Sequence, residues 1–75
     1  MRFMLTLNMP TLNGNSVHRI VCDHPAKSFD DFVDIIASDE FVIVDEIHRD
    51  TQSGQQWSSG LSAINTSYIG KVRVV

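Results

Sequence analysis

The stretch Ser28-Phe29-Asp30-Asp31-Phe32-Val33-Asp34-Ile35-Ile36-Ala37-Ser38-Asp39-Glu40-Phe41-Val42-Ile43-Val44-Asp45-Glu46-Ile47 joins a short amphipathic helix directly to the most hydrophobic strand candidate of the chain. Its two halves decide the fold. Ser28 can cap a helix with its hydroxyl, and Asp31 stands three residues on, where a carboxylate can reach back toward the cap as Glu or Gln does in a capping box. Phe29, Phe32, Val33 and Ile36 recur at the i, i+3, i+4, i+7 spacing of a single helical face, with Asp30, Asp31 and Asp34 turned away. These acids sit in the first turns, where the positive end of the helix dipole favours them by about 0.3–1 kcal/mol each. Asp39 and Glu40 end the helix, and Phe41-Val42-Ile43-Val44 follows as a strand that is apolar on both faces.

Working outward, Phe3, Leu5, Leu7 and Met9 alternate with Arg2, Thr6 and Asn8, the period-two signature of a half-buried strand. Pro10 ends that strand, and Asn13-Gly14-Asn15 supplies residues that tolerate positive φ, so the chain reverses into a second strand over Ser16 to Cys22. Asp23-His24-Pro25 breaks that strand ahead of the helix. Beyond Ile47, the polar run Asp50 to Gln56 makes a hairpin. Trp57, Ser59, Leu61 and Ala63 then alternate as a fourth strand, with Gly60 marking a bulge or a close backbone approach. After a break at Asn65-Thr66-Ser67, Tyr68, Gly70, Val72 and Val74 alternate with Ile69, Lys71 and Arg73 to form a short last strand. The expectation is an α+β fold: a small antiparallel sheet of four to five strands in the order β-β-α-β-β-β, with one helix packed on one face.

Both faces of such a sheet are apolar. If Phe3, Leu5, Leu7, Phe41, Ile43, Ile47, Leu61 and Val72 meet the helix, then Met4, Ile20, Cys22, Val42, Val44, Ile64 and Ile69 point the other way. Either the sheet curls toward a partial barrel and buries both sets, or the second face packs on another protein or a second copy of this one. Asp45 stands out because it shares the side of Phe41 and Ile43. It calls for a bulge, a basic partner such as Lys71 or Arg73, or an interface.

At 75 residues the chain makes a single domain near the lower size limit for a self-sufficient core. Its 43% hydrophobic and 20% charged residues describe a folded protein and exclude a disordered one. The formal net charge of −3 and the scatter of the six basic residues argue against nucleic acid as the main partner. The reverse possibility, an acidic mimic of a nucleic-acid backbone, gives way to solvated helix and strand ends as the plainer account of Asp30, Asp31, Asp34, Asp39, Glu40, Asp45 and Glu46. A single cysteine, Cys22, leaves no intrachain disulfide and fits a reducing compartment. Phe3 to Met9 is too short for a signal-peptide core, and no run reaches membrane-spanning length, so the expected location is cytoplasmic, away from the membrane.

Candidate chemistry is sparse. Cys22, Asp23 and His24 form the one dense cluster of ligand-type side chains, but there is no Cys-x-x-Cys, and His18 or His48 could join only from other strands, so no metal site and no cofactor are expected. Residues so close in sequence also seldom reach the geometry of a nucleophile and its base. The carboxylates Asp45 and Glu46, with His48 and Asp50, read as a strand emerging into solvent. Trp57 near Arg49 is the expected recognition pair, since Trp and Arg are the commonest interface anchors. The protein is therefore expected to be a non-enzymatic inhibitor or adaptor, of the kind common among phage and mobile-element accessory and counter-defence products. It would act by protein binding through Val42, Val44, Arg49, Trp57, Ile64 and Ile69, with a homodimer as one form. The alternative is a nucleic-acid-binding module that uses Tyr68, Lys71 and Arg73.

Overall fold

A computed structural model describes residues 1–75 and contains seven elements. They are β1 (Arg2–Thr11), β2 (Gly14–Asp23), α1 (Phe29–Ser38), β3 (Phe41–Arg49), β4 (Gln56–Asn65), a single 3₁₀ turn η1 (Thr66–Tyr68) and β5 (Ile69–Val74). The five strands form one sheet in the order β4-β3-β2-β1-β5, with every neighbouring pair antiparallel. The helix packs on one face of the sheet, as the pattern predicts.

The topology forces the sheet to curl. Its two edges, β4 and β5, are consecutive in the chain and joined only by the three residues of η1. Across a flat five-stranded sheet those edges would stand about 19 Å apart, more than the four Cα steps from Asn65 to Ile69 can span, about 14 Å when fully extended. The shortest ladder is that of β2 and β3, which pair only through Val21–Asp23 against Asp45–Ile47. The sheet stays open, since β4 and β5 do not pair.

Eight residues are buried: Phe3, Leu5 and Leu7 from β1, Cys22 from β2, Phe32 from α1, Val42 and Val44 from β3, and Ile64 from β4. They form one cluster on the concave, helix-covered face, with Ile20, Ile35, Ile36, Ile69 and Val72 packed at its margin. The rings of Phe3 and Phe32 stack with centroids 4.0 Å apart and pin the helix to β1. Ser28 caps α1 as expected, its hydroxyl accepting from the Asp31 N–H at 3.1 Å. The helix presents Phe32, Ile35 and Ile36 to the sheet, whereas Phe29 and Val33 are partly exposed. The apolar arc is wider than the contact, and the curled sheet meets only one side of it.

The expected division of faces holds for β1 and for Val72 and fails for the other strands. Opposed residues of an antiparallel pair share a face. Phe3 opposes Cys22 and Leu5 opposes Ile20, so Cys22 and Ile20 are on the helix side. Cys22 in turn opposes Glu46, which places Val44 and Val42, and across from Val42 also Ile64, on that side too. Phe41, Ile43 and Leu61 therefore face outward. A strand apolar on both faces leaves its parity open to pattern alone.

Two bulges complete the assignment. Between Thr6↔Lys71 and Leu7↔Ile69, β1 advances one residue while β5 advances two, and Gly70 is the extra residue. This lets Ile69 and Val72 both face the core, where strict alternation would separate them. In β4, the two residues between Leu61 and Ser58 oppose the single residue between Asp45 and Ile47. Gly60 sits at this bulge with φ +100°, a conformation that side chains resist. The shift turns Trp57 to the side opposite Leu61.

Candidate functional site

The buried cluster takes three of the six residues that the pattern offered as a protein-binding surface. Val42, Val44 and Ile64 are core residues without exposed side chains, and Ile69 is partly buried at the core margin; the reversed parity of β3 and β4 and the bulge at Gly70 account for this. Arg49 and Trp57 are exposed but lie on opposite faces, since Trp57 opposes His48 while Arg49 opposes Gln56. The Trp57 ring, 51% exposed, stacks on His48 with centroids 5.7 Å apart. Tyr68 does not join Lys71 and Arg73. It lines a hollow of about 260 Å³ with Leu7, Met9, Ile64 and their neighbours.

The outer face of the β3–β4 pair carries what the sequence reading assigned to the core. Phe41, Ile43 and Leu61 are 52%, 59% and 78% exposed. The pairings Phe41↔Asn65, Ile43↔Ala63 and Asp45↔Leu61 set them in adjacent rows, so the three form one patch. With His24, Pro25 and Ile35, this patch lines an open hollow of about 490 Å³ beside α1. Single exposed apolar residues are ordinary, whereas these three large ones are contiguous. Asp45, so odd as a core neighbour, belongs naturally on this solvent-facing side, where it accepts a hydrogen bond from the Ser58 hydroxyl.

At the sheet's other end the outer face is polar. Arg2 forks onto Asp23 through Nε at 2.8 Å and Nη2 at 3.2 Å, and its Nη1 donates to Gln56 Oε1 at 3.0 Å. The guanidinium holds the Asp23 carboxyl below its ordinary range. Beside this fork lies a hollow of about 400 Å³ whose lining includes Met4, Val21, Ile47 and Arg49.

Among the titratable groups considered for catalysis, His48 Nε2 and Glu46 Oε1 approach to 3.9 Å, while Cys22 and His24 make no hydrogen bond to each other. The Cys22 side chain is fully buried, and its thiol is pushed up to about 11, by burial first and by Asp23 and Glu46 next, so the thiolate is suppressed at neutral pH. His24 packs on Phe32 at 4.8 Å and accepts the Ala26 N–H through Nδ1, which places its neutral proton on Nε2. His18 pairs with the Ser16 hydroxyl and His48 with that of Ser59. No three His, Cys, Asp or Glu side chains converge as metal ligands would. The outward patch on β3 and β4 could not be read from charge alone, since Asp45 shares the side of Phe41 and Ile43 while Glu46, next to it, shares that of Val42 and Val44.

No protein-family model matches this sequence, and no curated protein or solved structure shows a significant similarity to it.

Proposed function

We propose that this is a non-enzymatic binding protein, an inhibitor or adaptor, that holds another protein against the outer face of β3 and β4. The observation that carries the reading is the contiguous exposure of Phe41, Ile43 and Leu61 in a chain with only eight buried residues. Apolar side chains left in water by so small a domain forgo core stabilisation that it could use, at about 25 cal/mol per Å². A partner that covers them recovers it. The partner is a second copy of the chain or a different protein; Trp57 lies on the opposite face of the strand pair, and Arg49 shares the outer face but stands four residues beyond the row of Asp45 and Leu61. The test compares the wild-type chain with an Ile43→Asp/Leu61→Asp variant that keeps the wild-type circular dichroism. Light scattering over a range of concentrations reads self-association, and quantitative capture from host extract reads other partners. The reading requires at least one association that the wild type makes and the variant loses. It fails if the two proteins have the same mass and capture the same set.

A further inference from the structure

The charge of this protein is segregated by the fold. Following the registers, Arg2, Arg19, Arg49, Lys71 and Arg73 all lie on the outer face of the sheet, five of the chain's six cations, against only two carboxylates, Asp23 and Asp45. The remaining seven acids sit on the helix, its flanks, the inner face or the β3–β4 turn, with Lys27 as their one counter-charge. Of the outer cations only Arg2 has a carboxylate within 4.0 Å. Arg19, Lys71 and Arg73 are exposed and unpaired, and the sheet gathers them: Lys71 and Arg19 flank Thr6 in one row, and Arg73 lies beside Met4 in the next. The Gly70 bulge makes this possible, because unbroken alternation from Ile69 would turn Lys71 and Arg73 inward.

We propose that the outer face of β2-β1-β5 binds the sugar-phosphate backbone of duplex nucleic acid, through Arg19, Lys71 and Arg73 with the Thr6 hydroxyl between them. Two strand spacings separate Lys71 from Arg19 by about 10 Å, and two residues separate Lys71 from Arg73 by about 7 Å. These are the scales of the duplex grooves, about 12 and 6 Å wide, across which phosphates face each other. Arginine forks match phosphate oxygens, and a hydroxyl can donate to a third. The centre of a protein interface is depleted of charge and rich in exposed apolar groups, whereas here Met4 and Val21 are half-buried among the cations. Base stacking by a single strand needs aromatic side chains, and these rows contain none. The net charge of −3 does not cancel the local field: the molecule is 19 Å through its thinnest dimension, and the Debye length is about 8 Å at physiological ionic strength. This surface is separate from the Phe41–Ile43–Leu61 patch and stands or falls independently of it.

The test is fluorescence anisotropy of a labelled 20-base-pair duplex titrated with the full chain from 50 to 200 mM salt. Three neutralised phosphates give a log–log slope of about −2.7, so affinity falls about 40-fold over that range. Lys71→Glu/Arg73→Glu, checked for wild-type circular dichroism, should lose at least tenfold at 50 mM salt, while Lys27→Glu should bind as the wild type does. No binding at 50 mM salt, a slope near zero, or equal binding by the reversal variant overturns the proposal. Tighter binding of the corresponding single strand overturns the assignment to duplex. Competition by poly-glutamate as effective as by unlabelled duplex does so too, and points to an acidic protein instead.

Discussion

Two adjacent residues, Ile43 and Val44, should differ sharply in their response to truncation to alanine. Val44 is 1% exposed in the core, whereas Ile43 is 59% exposed on the outer face. Val44→Ala removes two buried carbons at about 0.8 kcal/mol each and leaves a void that adds to the loss, for a total of about 1.5–3 kcal/mol. A domain of this length has about 4–11 kcal/mol in all. At about 4–8 °C per kcal/mol, a 2 kcal/mol loss lowers Tm by about 8–16 °C. Ile43→Ala is an outer-surface change and should stay within about 0.5 kcal/mol of the wild type. Thermal unfolding followed by circular dichroism, with urea titration as a second probe, measures both. The face assignment of β3 is refuted if Ile43→Ala costs as much as Val44→Ala or more, since the parity would then be reversed.

Gly60→Ala places a side chain at φ +100° and should destabilise by about 1–2 kcal/mol even though nothing crowds the position, read as a lower urea midpoint with unchanged slope. Native Cys22 should resist a thiol-labelling reagent at pH 7.5 and react only in denaturant, because its thiol is buried and titrates at about 11; rapid labelling of the folded protein would contradict this. Burial against Phe32, helped by the N-terminal ammonium, lowers the His24 pKa from its ordinary 6.5. The unfolded chain therefore takes up the proton first on acidification, and stability should fall as pH drops below about 6.5 and level off below the folded value. His24→Phe should flatten that part of the pH profile, and an unchanged slope in the variant would count against the packing described.

Local signals in the sequence were strong where one residue type had one explanation. The clean alternation of Phe3, Leu5 and Leu7 located β1 and its core face, and Ser28 located the start of α1, because a capping hydroxyl has few other uses there. Where both faces of a strand were apolar, alternation could not choose between them. Phe41 to Val44 was read with the wrong parity, and the six-residue interface expected from it lost Val42, Val44, Ile64 and Ile69 to the core or its margin. The charges of Asp45 and Glu46 fall one on each side and do not decide the parity; the choice follows from the pairing of Cys22 with Glu46, a non-local fact. Gly60 marks a bulge or a close backbone approach in the sequence, but its effect on the side taken by Trp57 depends on which residues of β3 lie opposite, a non-local fact. Gly70 gave no such mark, and the gathering of Arg19 with Lys71 and Arg73 follows only from two registers across β1.

Site-specific photo-crosslinking in the cells that make the protein addresses its role most directly. A benzophenone amino acid at position 61 stands on the outward patch, where Leu61 is 78% exposed, and one at position 34 on the acidic face of the helix serves as the control. A protein-binding role for β3 and β4 predicts a discrete, nuclease-resistant adduct of higher mass from position 61 and none from position 34. No adduct at position 61, or the same adducts from both positions, would contradict it.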